Sequence, residues 1–346
     1  MTLLTRRFVA ALLAAACLLP GLLIGPAPAA ADEVNVYTSR HYDTDDQLYE
    51  LFTEQTGIEV NVIEGNTDEL LTRLQREGDL SPGDVFIAVD AGRLHKAVEQ
   101  ELLAPVASSA LESAIPANLR HPDGLWFGYS LRARVIFLSK DVPADYVTTY
   151  AELAEPKLDG ALLIRSSSNI YNQSLAASQL AHGGEDALLA WSEGVVSNMA
   201  RTPQGGDTDQ IRALAAGEGD VAVANHYYFA RLLASDKPAD NEAASKVRLV
   251  FPDQDGRGTH VNVSGAGLLR SAPNRDNAVK LLEFLATPEA QQLWAVANFE
   301  YPTVPGVEPP EVMKPYGEFK RDTINAAELG DNNRAAVRVM DRAGWR

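Results

Sequence analysis

Cysteine is almost absent from these 346 residues, and the one copy, Cys17, lies in an apolar N-terminal run. That scarcity excludes a disulfide scaffold, thiolate zinc sites, iron–sulfur clusters and a cysteine nucleophile together. Basic residues are also short, with 30 Lys and Arg against 47 Asp and Glu and a net charge of −17. No nucleic-acid partner is expected, since phosphate binding depends on Lys and Arg. Beyond residue 31 no apolar run approaches the roughly 18 residues that suggest a membrane span. A His-Glu-x-x-His zinc helix, a Walker phosphate loop and a Gly-x-Gly-x-x-Gly turn are all missing. Ser264, in Asn262-Val-Ser-Gly-Ala266, lacks the first glycine of a nucleophile elbow. An enzyme is therefore not expected. What is present, 46% hydrophobic and 22% charged, describes a folded chain longer than one core usually carries, so two lobes are expected.

Arg6 and Arg7 precede an apolar stretch over residues 8–24 that Pro20 and Gly21 interrupt, and Ala27-Pro-Ala29-Ala30-Ala31 offers small-residue cleavage sites. The pattern predicts a secretory signal peptide over residues 1–31 and a periplasmic mature chain. The twin arginine leaves both the Sec and the twin-arginine export routes open. Removing Arg6 and Arg7 leaves 28 basic and 47 acidic side chains, so the mature net charge sharpens to −19.

Hydrophobic periodicity then predicts strands over 34–38, 58–63 and 85–89 and helices over 47–56 and 68–77, a β-α-β-α-β pattern that points to a mainly parallel sheet. Asp43-Thr-Asp-Asp46 supplies capping oxygens for the first helix, and Gly57 ends it. Further strands are expected at 134–138, 161–164 and 219–225, helices at 208–216 and 274–285, and a terminal helix at 332–342. Extended segments around 130–137 and 259–268 are the best places for the chain to cross between lobes. The expected fold is α/β and two-lobed, with a hinge of two crossing strands and an interlobe cleft. Ligands of open α/β sheets bind in such clefts, outside the carboxyl ends of the strands.

Three strand ends carry aromatic or imidazole groups: His41-Tyr42 after the first strand, Tyr171 beyond Arg165-Ser-Ser-Ser-Asn169, and His226-Tyr227-Tyr228 after the 219–225 strand. Taken singly, each tyrosine reads more readily as packing. Taken together they suggest oxygen ligation. A phenol of reference pKa about 10 becomes a hard anionic donor when a strongly charged metal displaces its proton, and ferric iron is such a metal. Calcium or magnesium would call for clustered carboxylates. Four phenolates around a 3+ ion leave one negative charge, and Arg132, Arg134 and Arg231 lie near these segments to offset it.

The segments Ser39-Arg40-His41-Tyr42, Trp126-Phe-Gly-Tyr-Ser-Leu-Arg132-Ala-Arg134, Arg165-Ser-Ser-Ser-Asn169-Ile-Tyr171, Ala224-Asn-His226-Tyr227-Tyr228 and Gly256-Arg-Gly-Thr-His260 through Gly265 occur in this order. Together they closely resemble the Fbp/Fut-type, bacterial transferrin-like ferric-iron-binding proteins, the extracytoplasmic receptors of iron ABC importers. The similarity runs from about residue 33 to 346. It implies the periplasmic-binding-protein fold, with lobe one at 32–132 plus 265–346, including the C-terminal helices, and lobe two at 133–264. It implies Fe3+ as the transported ligand, held by Tyr42 from lobe one and by Tyr171, Tyr227 and Tyr228 from lobe two. His41 matches the position that adds a fifth ligand in some members. Arg132 and Arg231 match positions near the metal, and His226 stands where a small polar residue or Asn is expected. Some members use a carbonate-like anion, which Ser166 to Asn169 could hold through backbone N–H groups; the same serines serve equally as helix caps. The implied partner is an inner-membrane ABC permease, and a monomer is expected. The competing reading is a receptor of the same fold for a polyamine, thiamine or a sugar, with the tyrosines as aromatic walls.

Overall fold

The computed structural model describes residues 32–40 and 42–346; the signal-peptide expectation at 1–31 and His41 lie outside the described residues. The chain opens as β1 (Glu33–Thr38), α1 (Thr44–Thr56), β2 (Glu59–Glu64), α2 (Thr67–Glu77), β3 (Val85–Val89) and α3 (Ala91–Glu99). β1 lies between β2 and β3 and is parallel to both, as the alternation predicted. Gly57 takes φ 75° at the end of α1 and returns its N–H to the Thr53 carbonyl at 2.8 Å, a left-handed cap that glycine adopts without a Cβ clash. The start of α1 differs from expectation: Asp43 makes no side-chain cap, and Asp45 instead binds the buried Arg40. A charged partner outcompetes a backbone N–H for that carboxylate.

After β4 (Leu103–Ala104) and α4 (Ser109–Ala114) comes β5 (Phe127–Ser139), which organises the rest. Its first half, Phe127 to Ala133, pairs antiparallel with β9 (Val261–Leu269). From Arg134 onward it pairs instead with β7 (Val221–Asn225) and β8 (Val247–Val250). The change falls where the Arg134 N–H donates to the His260 carbonyl at 3.1 Å. β9 pairs with β3 through residues 264–268 and with the first half of β5 through residues 261–266, so the second crossing occurs before Val261. β6 (Leu162–Leu163) flanks β7, and β10 (Tyr301–Pro302) flanks the first half of β5. Among the described residues these strands make one ten-stranded sheet.

Helices α5 (Ile170–Ser197), α6 (Asp207–Ala215), α7 (His226–Leu233) and α8 (Pro238–Lys246) cover the second half. α9 (Arg275–Leu285) and α10 (Pro288–Trp294) cover the first, and α11 (Ala326–Asp331) and α12 (Asn333–Arg342) follow. Strand alternation divides the core of the second half: Phe137, Ala222 and Ala224 join the apolar cluster continuous with the first half, whereas Ile136, Leu138, Val221 and Val223 face a second cluster. Burial on both faces explains the unbroken Val135-Ile-Phe-Leu138 run. The terminal helix, expected with lobe one, sends Ala336, Val339, Met340 and the following Trp345 into that second cluster beside α5. Trp345 packs on Trp191 with ring centroids 5.9 Å apart, and its indole N–H donates to the Arg165 carbonyl at 2.9 Å. Among the described residues no helix is long and apolar enough to cross a membrane.

Trp345→Ala empties a fully buried site and should destabilise the chain by about 3–5 kcal/mol. Urea denaturation followed by circular dichroism measures this, and a change below about 1 kcal/mol would mean that the terminal helix is not an integral part of the second core.

Candidate metal centre

Arg40 is the post on which the first tyrosine rests. Fully buried just after β1, its Nε donates to both oxygens of Asp45 at 2.9 and 3.1 Å, and Nη2 donates to the Trp294 carbonyl at 2.5 Å. Nη1 lies 3.6 Å from the buried carboxylate of Glu300. The guanidinium, fixed by these partners, sits 4.3 Å from the centre of the Tyr42 ring, and the Tyr42 hydroxyl donates to Glu300 Oε1 at 3.4 Å. Glu300 also accepts from Ser130 and Ser264 on β5 and β9. Tyr42 is thus aimed by residues 40 and 300, from opposite ends of the chain.

The first turn of α7 carries Tyr227 and Tyr228, with ring centroids 4.3 Å apart. The Tyr227 hydroxyl donates to the hydroxyl of Tyr171, the second residue of α5, at 3.2 Å. Arg231, one turn later on α7, places its guanidinium 5.1 Å from the Tyr227 ring centre, 5.2 Å from that of Tyr42 and 5.8 Å from that of Tyr228. It therefore faces three of the four tyrosines at once. Arg132, Arg134 and Arg165 surround the fourth, Tyr171, at 5.4, 6.0 and 5.9 Å. Arg132 is fully buried and donates from Nη2 to the Val263 carbonyl, while its Nε and Nη1 have no hydrogen-bond partner among the described residues.

Tyr42, Tyr171, Tyr227 and Tyr228 accordingly converge, with Arg132 and Arg231 against them. His226 does not point at this centre. Its Nδ1 accepts the Ala133 N–H at 3.1 Å, which leaves Nε2 to carry the proton toward the Phe299 carbonyl at 3.0 Å, and its ring stacks on Tyr301 at 4.5 Å. Burial holds its pKa down to about 3. It is a neutral crosslink between α7, the crossing point of β5 and the turn before β10. Arg40 and Glu300 escaped the reading of the sequence. Arg40 adjoins His41-Tyr42 and carries a local signal, whereas Glu300, in Asn298-Phe-Glu-Tyr-Pro302, carries none.

Ionisation of the cluster is resisted from within. Burial pushes the Tyr42 phenol up to about 12, Glu300 adds to the shift, and Arg40, Arg132 and Arg231 oppose it. Burial likewise raises Tyr227, which Tyr171, Tyr228 and Tyr42 push further, and it raises Tyr228, which Tyr171 pushes further. These three therefore rest as neutral phenols at neutral pH. Among the described residues no group of three or more His, Cys, Asp or Glu side chains is arranged to hold a metal ion. The phenols are the donor set on offer, and they suit a small, hard, highly charged cation. Beside Tyr171 and Tyr228 opens a cavity of about 680 Å3, with Arg93 and Lys96 on one wall and Arg165, Ser166 and Ser168 on the other.

The family description "Bacterial extracellular solute-binding protein" matches residues 47–321. The chain belongs to this family. It is 50% identical over 328 residues to iron uptake protein A1 of Synechocystis sp., covering 94% of this chain and 91% of the relative. A solved structure of a Trichodesmium protein (IdiA, FutA), described as in complex with iron and citrate ligands, superposes with a TM-score of 0.89 at 52% identity, covering 91% of this chain and 100% of that one. A Bordetella ferric binding protein gives 0.86 at 39% identity, covering 91% and 99%. The fold is the two-lobed α/β architecture of periplasmic binding proteins.

A phenol held at about 12 in the fold, against about 10 in an unfolded chain, contributes stability that is complete below pH 10 and is lost as pH rises through 12. Alkaline urea titrations of the unliganded solute-binding protein should show this loss, and Tyr42→Phe should flatten it. Parallel profiles for both proteins would contradict the burial of this hydroxyl.

Proposed function

We propose that this solute-binding protein captures ferric iron outside the cytoplasm with Tyr42, Tyr171, Tyr227 and Tyr228 and delivers it, without catalysis, to an ABC permease of the inner membrane. The observation that carries this reading is the meeting of four phenols, three of them held protonated by burial, within a ring of guanidinium groups. Only a strongly charged cation repays the loss of those protons. A polyamine would meet the positive charge of Arg132 and Arg231 in the same place, which disfavours the competing receptor reading.

The α5 and α7 tyrosines receive iron first, the lobes rotate about the two crossings, and Tyr42 completes the shell. A ligand contacting both lobes stabilises the closed state by its differential affinity, and the permease recognises that state. From strand pairing and helix packing we take lobe one as residues 32–133 with 261–331, and lobe two as 134–260 with 332–346. A carbonate-like or carboxylate anion, when one accompanies the metal, would occupy the cavity against Arg165. The hydroxyls of Ser166 and Ser168 are engaged with each other at 2.6 Å, so backbone and arginine donors would serve it first. Residues 1–31 act as a signal peptide for Sec or twin-arginine export, and the mature receptor is a monomer.

Ferric citrate added to the mature protein should produce a visible phenolate-to-iron charge-transfer band, and Tyr227→Phe combined with Tyr228→Phe should abolish it. A colourless wild type whose melting temperature iron leaves unchanged would sink the reading. Metal binding expels protons from the phenols, so ferric affinity should fall by about tenfold or more for each pH unit of acidification. Competition titrations between pH 6 and 8 would read that slope, and a flat profile would contradict protonated resting ligands.

A further inference from the structure

Asp90 stands directly after β3 with φ 91° and ψ 128°. The other non-glycine residues of positive φ among those described, Glu101, Asp253 and Phe299, have φ between 54° and 64°, where Asp and Asn are tolerated. Asp90 is outside that region, and such strain persists only where surrounding contacts enforce it and tends to mark functional sites. It is also fully buried. Its Oδ1 accepts the Gly92 N–H at 2.9 Å and the Ser174 hydroxyl at 2.8 Å, and its Oδ2 accepts from Asn262 Nδ2 at 2.9 Å. Asn262 cannot turn its amide, because its Oδ1 already accepts the Ala91 and Val263 N–H groups at 2.8 Å each.

These bonds divide by place. Gly92 and Asn262 lie on α3 and β9, the same half of the sheet as Asp90. Ser174 lies on α5, whose neighbouring Leu175, Ala176 and Ala177 pack in the second core. It is fully buried and sits one turn beyond Tyr171. A helical serine can return its proton to its own backbone, but this one spends it on a carboxylate across the molecule. The approach is close elsewhere too: a Cβ on Gly92 would come within 3.3 Å of Ile170 Cδ1, the residue before Tyr171. Asp90 further attracts Arg132, the guanidinium over the Tyr171 ring.

We propose that Asp90 is the positioning residue of closure. Its bond to Ser174 latches the first turn of α5, and with it the Tyr171 phenol, onto the β3 side when the lobes meet, and so sets how long iron is retained without touching the metal. The Gly92 and Asn262 bonds keep Asp90 aimed in the open state, and the Ser174 bond forms only on closure. The proposal rests on the ferric-iron reading for its cargo.

Ser174→Ala removes the crossing bond and leaves the α3 cap intact. Asp90→Asn keeps the Gly92 bond but sets two amide donors, its own and that of Asn262, against each other. Both variants are to be compared with wild type for iron loss into excess hydroxamate chelator, for the charge-transfer band, for iron-free melting temperature and for solution X-ray scattering. Ser174→Ala should keep the band position and the iron-free melting temperature, release iron about tenfold faster, the effect of one hydrogen bond to a charged group, and show a larger radius of gyration when loaded. Asp90→Asn should release iron faster still. Unchanged release and radius in Ser174→Ala, or a fall only in iron-free stability, would overturn the latch and leave Asp90 a helix cap. Should wild type give no band, the cargo reading fails separately, and the latch is then judged by scattering of both proteins in ferric citrate: a wild type that compacts while Ser174→Ala stays extended supports it, and equal radii overturn it.

Discussion

Three phenols in contact, with Tyr42 facing them across Arg231, cannot be ionised together without a cation, and the centre is organised around that constraint. Tyr227 is the pivot, bonded through its hydroxyl to Tyr171 and lying against Tyr228. A charge on any one of them raises the cost of the next, and burial raises it for Tyr42, Tyr227 and Tyr228. The protein offsets this with guanidinium groups that it fixes beforehand. Arg40 is locked by Asp45, Trp294 and Glu300, and Arg134 by Asp207 at 2.6 Å and Asn172 at 2.7 Å. Because these groups do not reorganise when a phenolate forms, their stabilisation is available at the moment of binding. Arginine suits the task because it remains charged when buried and its planar head lies against a ring.

The same constraint explains why three distant segments must be held to one another so firmly. β5 belongs to both halves of the sheet, and the point where it changes partners, Ala133 and Arg134, is also where the site is anchored. Ala133 gives its N–H to His226, Arg134 bonds the side chain of Asn225, and Ser130 and Arg132 bond Glu300 and Val263. The crossing strand thus sets the directions of the Tyr227 and Tyr228 helix and, through Glu300, of Tyr42. A rotation about these crossings changes the distance between Tyr42 and α7 while each tyrosine keeps its own support.

Legibility in the sequence followed the range of the interactions. The parallel opening, the Gly57 cap and the strand of residues 221–225 rest on periodicity and local backbone chemistry, and they read directly. The tyrosines became legible only as a set of motifs in order, since a single tyrosine at a strand end looks like packing. What stayed hidden depends on contacts across the chain: Asp45 serving Arg40 instead of capping α1, Glu300 reaching Tyr42 from 258 positions away, and the terminal helix crossing to pack on α5. A strained backbone such as that of Asp90 leaves no trace in composition or spacing.

The net charge of −17 says little about the centre, because the guanidinium groups that face the four tyrosines are nearly balanced by carboxylates of their own. Arg40, Arg132, Arg134, Arg165 and Arg231 bring five positive charges, and Asp45, Asp90, Asp207 and Glu300 bring four negative ones through ion pairs or direct electrostatic contact. One positive charge is left over, and Arg231, half-buried with no ion pair among the described residues, is its natural seat. Ferric iron with four phenolates carries one negative charge. On the ferric-iron reading proposed above, the loaded centre would be neutral, so lobe closure over it would bury no net charge, whereas an unfilled centre would have to bury that surplus cation among the phenols. On that reading closure is favoured with the metal and disfavoured without it for the same electrostatic reason, which is the discrimination that the proposed delivery to a permease requires.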